Sequence, residues 1–469
     1  MIRKTKIIAT LGPVTDSPTI LGRLLEAGVN VFRLNMSHAK HDWVRRVVRD
    51  IRTEAGARRL TVGLLLDTQG PAIRTGDVVA PIPLKAGDRF VFTVRGDAVE
   101  DVPSTRVNYD GFAHDVNTGD TLVIDNGAMK MRIHSKTESR VECEVLTDGQ
   151  LGSRRHINLP GVRVSLPALT EKDHEDLTLG LELAVDYIAM SFVREPEDIR
   201  QLRARIAGSA HPPQIVAKIE HQFAVNNFDA IARESDAVMI ARGDLGIECP
   251  YAELPIIQRR LVKKCQEMGR PVIVATQMLE SMIDNPLPTR AEITDVANAV
   301  YEQADAIMLS AETTVGRHPL ACIEVMDTIA RRIERSGGAG YQTGASFLLP
   351  REKLVKNAVQ LADDLRAAAL LVLTRRGHLA RYAARMRPRW TPIHVFSADP
   401  RVLTGLTLCR DLILHRAEAD LANAVVATDA ALAELKRAKI VQSGGTVVVV
   451  VGTGGNDRCL DEIRLRQIP

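Results

Sequence analysis

The fold is indicated most clearly by three short stretches of sequence, which read IVAKIE at 215–220, AVMIARGDLG at 237–246 and VIVATQM at 272–278. Each begins as a short apolar run and ends in polar residues, which is typical of a strand buried on both faces of a parallel sheet. The segments between the runs are long enough for helices. Parallel strands joined by helices place their C-terminal ends on one face, so we expect the polar residues to converge at one rim.

Working outward from these stretches, we find five further strand-like runs. The eight runs are Lys6–Leu11, Asn30–Met36, Thr61–Asp67, Tyr187–Phe192, Ile215–Lys218, Ala237–Ala241, Pro271–Ala275 and Ala306–Ser310. Their spacing is about one βα unit, except for a gap of more than a hundred residues between the third and fourth runs. This pattern predicts an α/β protein whose (β/α)₈ TIM barrel is interrupted after its third strand.

The interruption and the C-terminal third of the chain predict two further domains. The insertion carries the pairs Gly87-Asp88 and Gly119-Asp120, each followed by a β-rich run, which favours a small β-barrel that serves as a lid. After the glycine-rich segment 336–340 the βα rhythm resumes with a different core, which predicts a C-terminal open α/β domain. We expect the barrel over 1–73 and 162–335, the lid over 74–161, and the last domain over 336–469.

Composition narrows the class of protein. Of the 469 residues, 45% are hydrophobic. The 61 basic and 58 acidic residues give a formal net charge of +3, and this near-balance does not indicate a surface that binds nucleic acid or a membrane. The six cysteines form no C-x-x-C pair, so neither a zinc site nor a redox motif is indicated. No apolar run approaches the roughly 20 residues of a membrane span. We therefore expect a cytoplasmic protein without nucleic-acid or membrane partners.

Several motifs, occurring in order along the whole chain, resemble those of the pyruvate kinase family. They are Arg33–His38, Asp67–Pro71, Ile73–Gly76, Asn158–Gly161, Leu166–Ala168, Glu171–Asp173, Lys218–Glu220, Ala241–Gly246, Ala275–Met282 and Ser310–Thr313. The resemblance includes the order of barrel, lid and C-terminal domain. It implies transfer of a phosphoryl group from phosphoenolpyruvate to ADP, which gives pyruvate and ATP.

Three charged residues near two strand ends suit this chemistry. Phosphoryl transfer depends on charge neutralisation and positioning more than on covalent chemistry. Glu220 and Asp244 offer hard oxygen ligands that suit Mg²⁺, or Mn²⁺ in its place, and the resemblance implies that they hold it. Lys218 is expected to neutralise the phosphoryl group during transfer.

Other residues match family positions that contact the substrates. Arg33 and Arg74 provide forked donors that fit phosphate oxygens. Gly243 lets the backbone approach closely, and the free amides of Gly243 and Asp244 at a helix start favour the substrate carboxylate. The resemblance places Thr276 beside the substrate, where it is tied to protonation of the enolate. The residues expected near the nucleotide are Asn35, His38 and Arg74.

A monovalent cation, usually K⁺, is a further expectation from the resemblance. The matching oxygen ligands are Asn35, Ser37, Asp67 and Thr68. Potassium-dependent members carry an acidic residue where this chain has Ala72, and potassium-independent members often carry a lysine there. Ala72 fits neither pattern, so the sequence predicts the ligands of the cation but leaves K⁺ dependence open.

Regulation and assembly are also implied by the resemblance. The segment Thr374-Arg375-Arg376-Gly377 joins a predicted strand to a helix, where the family cradles a sugar-phosphate effector. A glycine-turned helix start beside two arginines can bind phosphate. The Ser/Thr-rich loop that recognises fructose 1,6-bisphosphate is missing, so a monophosphate effector is the hypothesis. Family members are usually homotetramers, which is the expectation here.

Two other functions fit parts of this pattern. A metal-dependent aldolase acting on 2-oxo acids would also use Glu220, Asp244 and a metal that stabilises an enolate, but it needs neither the lid nor Lys218. A catalytically inactive regulatory paralogue is disfavoured because every metal and phosphoryl ligand named above is present. The tripeptide Arg242-Gly243-Asp244 matches a cell-adhesion motif, but it lies at the end of a predicted buried strand.

Overall fold

The N-terminal part of the barrel contains two complete βα units and a third strand. The computed structural model describes residues 2–94, 102–125, 127–452 and 461–468. The first elements are β1 (Lys6–Thr10), α1 (Pro18–Glu26), β2 (Val31–Asn35), α2 (His41–Arg58) and β3 (Gly63–Asp67). Helix α1 begins at Pro18 because the side chain of Ser17 accepts a hydrogen bond from the amide of Ile20, and proline suits the first helical position.

The insertion after β3 is built from short strands around its own apolar core. Its elements are β4 (Ile82–Leu84), β5 (Arg89–Thr93), β6 (Ser104–Arg106), α3 (Phe112–Asp115), β7 (Thr121–Ile124), β8 (Met129–Lys136), β9 (Arg140–Val145), β10 (Gly149–Leu151) and β11 (Ile157–Asn158). Six strands form one sheet in the order β11-β7-β8-β9-β5-β6, and β4 pairs with β10. Phe90, Phe92 and Phe112 pack edge to face inside it, with ring centroids 5.0 and 6.0 Å apart.

The chain then returns to the barrel and closes it. The remaining barrel elements are α4 (Glu171–Glu182), β12 (Tyr187–Met190), α5 (Pro196–Ile206), β13 (Gln214–Ile219), α6 (Gln222–Asn226), α7 (Phe228–Glu234), β14 (Ala237–Ala241), α8 (Arg242–Glu248), α9 (Leu254–Met268), β15 (Val272–Ala275), α10 (Arg290–Tyr301), β16 (Ala306–Leu309), α11 (Ala311–Thr314) and α12 (Pro319–Glu334). The strands pair in parallel in the closed order β1-β16-β15-β14-β13-β12-β3-β2. The predicted (β/α)₈ barrel, interrupted after its third strand, is confirmed.

The C-terminal part forms a separate open sheet. Its elements are α13 (Pro350–Asp364), β17 (Ala369–Leu373), α14 (His378–Arg385), β18 (Ile393–Ser397), α15 (Pro400–Thr404), β19 (Leu412–Arg416), α16 (Ala424–Arg437), β20 (Thr446–Val451) and β21 (Glu462–Gln467). Four strands are parallel, as predicted, and the last strand adds antiparallel to the edge. The sequence analysis missed β21 because its mixture of charged and apolar residues forms no continuous apolar run.

The C-terminal domain closes the N-terminal end of the barrel. Leu408, in the segment before β19, belongs to the apolar cluster inside the barrel and is 1% exposed. Beside it the Tyr187 hydroxyl donates to the carbonyl oxygen of Thr404 at 3.1 Å. Arg387 forms a two-point ion pair with Asp305, at 2.8 and 2.6 Å. The end of the barrel away from the expected catalytic rim is therefore sealed by residues of another domain.

Membrane-spanning helices and cysteine pairing can be examined in the parts of the chain that the structure describes. None of the helices in these ranges combines the length with the apolar composition that crossing a bilayer requires. The described cysteines are buried and free; they are Cys143, Cys249, Cys265, Cys322 and Cys409. Cys459 lies outside the described residues.

Candidate active site

Strands β2, β3 and β13 bring a lysine, an arginine and two carboxylates together at the rim of the barrel. Lys218 Nζ lies 3.1 Å from Asp67 Oδ1 and 2.8 Å from Glu220 Oε1. Arg33 Nε donates to the other oxygen of Asp67 at 2.6 Å, and its Nη1 donates to the hydroxyl of Thr10 at 3.1 Å. All of these side chains are buried. The arrangement is a compact cluster of charges at the barrel rim.

Ser191 joins this cluster and was missed by the sequence analysis. Lys218 Nζ donates to Ser191 Oγ at 2.7 Å, and that hydroxyl lies 2.7 Å from the carbonyl oxygen of Thr68 and 3.3 Å from Asp67 Oδ1. Ser191 follows β12 directly. A polar residue at the end of a buried barrel strand is the same signal that pointed to Lys218 and Asp67, so the sequence contained the clue.

The charges at the centre of the site are set by burial and by their partners. Burial by itself would raise the pKa of Asp67, but Arg33 and Lys218 outweigh it and hold that pKa below its usual value. Burial would lower the pKa of Lys218, but Asp67 and Glu220 outweigh it and raise that pKa. Lys218 is therefore an ammonium and Asp67 a carboxylate at neutral pH.

The pKa of both acids expected to hold a metal is raised, with burial as the largest cause. Burial raises the pKa of Glu220, which Lys218 lowers and Asp244 raises again. Burial likewise raises the pKa of Asp244, and the charge of Asp67 adds to that effect. Glu220 Oε2 also accepts a hydrogen bond from the amide of Phe192 at 2.8 Å. This donor set fits a divalent cation, because a cation would relieve the crowding of carboxylates.

The number of protein ligands also fits magnesium. Over the ranges 2–94, 102–125, 127–452 and 461–468, no group of three or more histidine, cysteine or acidic side chains is placed to hold a metal. Magnesium is commonly held by one or two carboxylates and completed by water and substrate oxygens. A pair formed by Glu220 and Asp244 matches that mode.

Thr276 lies beside these acids in a strained backbone conformation. Its φ is +69° and that of Gln277 is +55°, both in the left-handed region that a β-branched residue rarely adopts. The Thr276 hydroxyl donates to the carbonyl oxygen of Ala275 at 2.6 Å and accepts from the amide of Gly243 at 2.8 Å. The Gly243 amide, expected to be free for an anion, therefore already has a partner in this conformation.

Arg242 holds this strained segment and was not assigned to the site from the sequence. Its guanidinium donates to the carbonyl oxygens of Thr276, at 2.5 Å, and Ala275, at 3.3 Å. It also pairs with Asp295 at 2.6 Å, and its side chain is 7% exposed. Nothing in the local sequence signals these contacts, because Asp295 lies on α10, more than fifty residues along the chain.

The structure places Arg74 at the junction of barrel and lid. Its backbone pairs with His156 in an isolated antiparallel bridge, and its Nη1 donates to the carbonyl oxygen of Arg154 at 3.1 Å. Burial lowers the pKa of His156 to about 4, with a further contribution from Arg74, so this histidine is neutral at pH 7. Its ring contacts that of Phe192 edge to face at 5.8 Å. Arg74 thus touches the lid rather than the cluster around Lys218.

Of the residues expected around a monovalent cation, Asn35 and Asp67 end the adjacent strands β2 and β3, and Ser37 and Thr68 follow those strands. Asn35 and Asp67 are direct neighbours in the parallel register. The Asn35 side-chain oxygen accepts from the amide of Ser37 at 3.2 Å, and the Thr68 hydroxyl donates to the carbonyl oxygen of Ala189 at 3.2 Å. Asp67 is already bound on both oxygens, so its oxygens would be shared with the cation.

The remaining predicted residues are His38 and the turn at 374–377. His38 is exposed just beyond this group. In the C-terminal domain, Thr374 is buried at the end of β17, and Gly377, with φ +81°, begins helix α14. The Gly377 amide donates to the Thr374 hydroxyl at 2.9 Å, and the side chains of Arg375 and Arg376 are exposed beside this turn. This turn lies in another domain from the catalytic cluster.

Comparison with known proteins decides what kind of protein has this barrel and this cluster. The family profile described as "Pyruvate kinase, barrel domain" matches residues 2–323, and "Pyruvate kinase, alpha/beta domain" matches residues 352–459. The chain belongs to the pyruvate kinase family. Pyruvate kinases are phosphotransferases, and the family assignment favours this activity over a 2-oxo acid aldolase.

Individual pyruvate kinases are similar over most of the chain. Plastidial pyruvate kinase 2 of Arabidopsis thaliana is 39% identical over 455 residues, which are 96% of this chain and 78% of that protein. A pyruvate kinase of Bacillus licheniformis is 40% identical over 419 residues, 87% of this chain and 71% of that protein. A crystal structure of a pyruvate kinase from Cryptosporidium parvum superposes with a TM-score of 0.94 at 33% identity, covering 100% of this chain and 96% of that chain.

These relatives also indicate the general requirements of the reaction. Pyruvate kinases bind phosphoenolpyruvate and ADP and generally use Mg²⁺ and K⁺. The carboxylates of Glu220 and Asp244 fit the divalent ion.

Proposed function

We propose that this chain transfers the phosphoryl group of phosphoenolpyruvate to ADP at the cluster around Lys218. The observation that carries the proposal is the position of Lys218 Nζ, held between Asp67 and Glu220 at 3.1 and 2.8 Å. In this proposal the Lys218 ammonium group, fixed by these two carboxylates, contacts the phosphoryl oxygens. A unit charge at about 4 Å is worth roughly 4 kcal/mol at an effective dielectric of about 20.

Glu220 and Asp244 are the proposed ligands of Mg²⁺ or Mn²⁺. When bound, the divalent ion supplies charge neutralisation for the phosphoryl and enolate oxygens. The protein's contribution is to hold the two carboxylates in place, with Glu220 positioned by Lys218 and by the Phe192 amide. Because Lys218 remains protonated, it binds the phosphoryl group without giving up a proton.

Other residues of the site orient the two substrates in this proposal. Arg33 reaches the phosphoryl group from the Asp67 side, and Arg74 reaches the phosphates across the lid junction. Gly243, Asp244 and Thr276 are proposed to bind the carboxylate end of the substrate, which would replace the hydrogen bond between the Gly243 amide and the Thr276 hydroxyl. Thr276 is the residue proposed to lie where the enolate is protonated. Asn35 and His38, together with Arg74, form the proposed nucleotide side. Support comes from the position of Arg33, Gly243 and Thr276 around one rim.

Replacing Lys218 by alanine tests the central assignment. We expect turnover to fall at least about a hundredfold, which is the scale of losing one donor that stabilises a transition state. The measurement is pyruvate formation from phosphoenolpyruvate and ADP in a coupled assay. Lys263→Ala is the matched control, because that lysine is 55% exposed and reaches Glu267 only at 3.9 Å. Near-normal turnover of Lys218→Ala would reject the assignment.

The same assay separates the alternatives. A phosphotransferase forms pyruvate from phosphoenolpyruvate only when ADP is present. A 2-oxo acid aldolase would form none from phosphoenolpyruvate, but it would release pyruvate from an aldol substrate without any nucleotide. An inactive regulatory paralogue would form no pyruvate in either case, even though it bound Mg²⁺ and phosphoenolpyruvate.

A titration with K⁺ tests the proposed cation ligands. The ligands would be Asn35, Ser37, Asp67 and Thr68, and we expect K⁺ to raise activity because these residues end or follow the adjacent strands β2 and β3. Strict dependence on K⁺ is left open by Ala72, which stands where other members carry an acidic residue or a lysine. Its carbonyl oxygen accepts a hydrogen bond from the side chain of Asn108 at 3.1 Å. Na⁺ at equal ionic strength is the control. Activity that does not respond to K⁺ at any concentration would remove the ion from the mechanism.

The domain boundaries, assembly and location complete the proposal. We place the barrel at 1–73 and 162–335, the lid at 74–161 and the C-terminal domain at 336–469. Separate apolar clusters support three domains, but Ile73 and Val162, which these bounds assign to the barrel, pack in the cluster of the lid. A homotetramer is supported by exposed apolar side chains on α9 and α10, such as Ile256 and Ile293. Sedimentation equilibrium would measure the assembly. A cytoplasmic location stays a prediction, because the relatives include plastidial proteins.

The turn at Thr374-Arg375-Arg376-Gly377 is the proposed site of a phosphorylated effector, such as a sugar monophosphate or AMP. Two exposed arginines beside a helix start support it. Kinetics measured with a panel of phosphorylated metabolites would test it, and unchanged kinetics with all of them would reject it.

A further inference from the structure

Three buried polar side chains connect the lid to the barrel near the two proposed metal ligands. Asn158 ends strand β11 of the lid, Glu248 ends helix α8, and His221 directly precedes helix α6. Asn158 Nδ2 donates to Glu248 Oε1 at 3.2 Å, and Glu248 Oε2 lies 3.2 Å from His221 Nε2. Asn158 is 5% exposed, Glu248 6% and His221 9%. These contacts therefore join two domains largely out of reach of bulk water.

The His221 ring presents a donor to Glu248. Its Nδ1 accepts a hydrogen bond from the amide of Phe223 at 3.2 Å, so the proton of the neutral ring is on Nε2. Nε2 and Glu248 Oε2 are close but not aligned as a hydrogen bond, and among the described residues Oε2 has no hydrogen-bond partner. A buried acceptor without a partner is costly, so the protein gains stability from a small shift that aligns the two groups.

Glu248 is close in the chain to one proposed metal ligand, and His221 is next to the other. Asp244 and Glu248 are four residues apart on α8, which places them on the same face of the helix, about one turn apart. Glu220 directly precedes His221. A displacement of Glu248 therefore reaches Asp244 through one helical turn and Glu220 through the contact with His221.

Apolar side chains surround these contacts. Ile73 and Phe192 line, together with the three polar residues, a cavity of about 50 Å³ between the lid and the barrel. Hydrogen bonds are stronger in such a low-dielectric environment than in water, and an unpaired polar group there is correspondingly costly. The three polar side chains therefore hold the two domains together more firmly than exposed residues of the same types would.

We propose that Glu248 is a positioning residue that couples the orientation of the lid to the placement of Glu220 and Asp244. The inference rests on the proposed role of these two acids as ligands of the divalent ion. Asn158 holds Glu248 from the lid side. Glu248 belongs to the helix that carries Asp244, and it contacts the residue that follows Glu220. The lid thus acts on both carboxylates through one buried side chain.

Replacing the lid residue of this contact tests the coupling. Calorimetric titration of the full-length protein with Mn²⁺, without substrates, measures the affinity of the metal site. Burial raises the pKa of Glu248 to about 7, so the titration is made at pH 8, where the carboxylate predominates. Asn158→Ala should weaken Mn²⁺ binding about tenfold, the lower end of the range for residues that hold a metal ligand through a neighbour. Asn117→Ala, at an exposed position of the same lid, is the matched control and should leave the affinity unchanged.

A variant of Glu248 itself should have the same effect. Glu248→Gln keeps the size of the side chain, but its NH₂ group must face either the Asn158 amide group or the His221 N–H, so one contact is lost. We expect weaker Mn²⁺ binding with little change in the thermal midpoint. The double variant with Asn158→Ala should lose less affinity than the product of the two single losses, because residues in contact act together. Losses that multiply fully would show two independent effects and contradict the coupling.

The other outcomes reject the inference in distinguishable ways. Unchanged Mn²⁺ affinity in both single variants would show that these contacts only attach the lid. Weaker binding in Glu248→Gln alone would confine the effect to the barrel and exclude the lid. Either result would leave the proposed function intact. Failure of the unaltered protein to bind Mn²⁺ would instead reject the proposed metal site, and this inference with it.

Hydrogen exchange of the metal-free protein examines the coupling from the barrel side. Glu248→Gln should speed exchange in β11 and in its neighbour β7, although Glu248 and Asn158 are 90 positions apart in the chain. Glu253→Gln, at an exposed position five residues further on, is the control and should leave the lid unchanged. Faster exchange confined to α8 would show that Glu248 does not act on the lid, and it would overturn the proposal even if Asn158→Ala failed to fold.

Discussion

Arg242 shows how one buried side chain shapes the catalytic end of the barrel. Its guanidinium binds two successive carbonyl oxygens, those of Ala275 and Thr276, and is itself anchored by Asp295. Left-handed φ at Thr276 and Gln277 costs of order 1–3 kcal/mol at each residue, so it persists only when surrounding contacts hold it. We infer that Arg242 is a positioning residue for Thr276.

Replacing Arg242 by lysine should separate positioning from folding. Arg242 reaches Ala275, Asp295 and Thr276 with three different nitrogens. A lysine carries its three N–H donors on a single nitrogen, which cannot take all three positions. We expect kcat to fall at least about tenfold, since small misplacements at a site are costly, while the thermal midpoint changes little. Arg259→Lys is the control, because Arg259 is 63% exposed. A loss of activity that only parallels a loss of folded protein would show a merely structural role.

Neighbouring strands of the C-terminal sheet contain a pair of histidines whose pKa values are lowered by burial. On β18 and β19, His394 Nδ1 and His415 Nε2 are 2.9 Å apart, so one ring donates to the other. Burial lowers the pKa of His394 to about 3 and that of His415 to about 4. His415 also lies 3.4 Å from Glu434, but because the ring is neutral at pH 7 this contact is not an ion pair there.

This pair predicts how stability changes with pH. The unfolded pKa of histidine is about 6.5, so the unfolded chain binds more protons below that value. The two neutral histidines therefore contribute fully to the free energy of unfolding above about pH 6.5. This contribution is lost as the pH falls toward the pKa values of the folded protein. At pH 5 the cost is roughly 2 kcal/mol for each histidine.

Thermal midpoints at pH 7.5 and pH 5 check this expectation. His415→Gln should show a smaller drop between the two pH values than the unaltered chain. His211→Gln, at an exposed position, is the control and should retain the full drop. A drop that is the same in all three proteins would contradict the role of the pair.

At the scale of the whole molecule, a contact between two domains closes one end of the barrel. Leu408 comes from the C-terminal domain, yet it packs in the same cluster as Ile8, Val31 and Tyr187 inside the barrel. The barrel interior is thus completed by a residue from outside the barrel. Gly63, at the start of β3, permits the close approach, because a Cβ there would lie 2.3 Å from the Thr407 hydroxyl.

Leu408→Ala should therefore weaken the barrel as well as the domain that contains it. We expect a loss of about 2–5 kcal/mol, the range for emptying a buried leucine site. Hydrogen exchange followed by mass spectrometry should show faster exchange in β1 and β2. Leu348→Ala, at an 80% exposed position, should change stability by less than about 0.5 kcal/mol. Faster exchange confined to the C-terminal sheet would show that Leu408 does not support the barrel.

Much of this protein follows from local sequence. Buried apolar runs such as Ala237–Ala241 predict strands, and parallel strands joined by helices must end on one face, so Lys218 and Asp67 could be expected to meet. The family motifs then indicated which chemistry those residues serve. What the sequence determined by itself was therefore the barrel, its interruption and the set of polar residues at its rim.

The tertiary structure decided the contacts between residues distant in the chain. Ser191 bridges to Lys218 from another strand, Arg242 reaches Asp295 on another helix, and Arg387 reaches Asp305 across 82 positions. Local sequence patterns give information only about residues that are close in the chain. They do not distinguish a charged side chain that is solvated from one that is buried beside a partner. The hydrogen bonds at the barrel rim and the sealed barrel end were thus visible only in the folded structure.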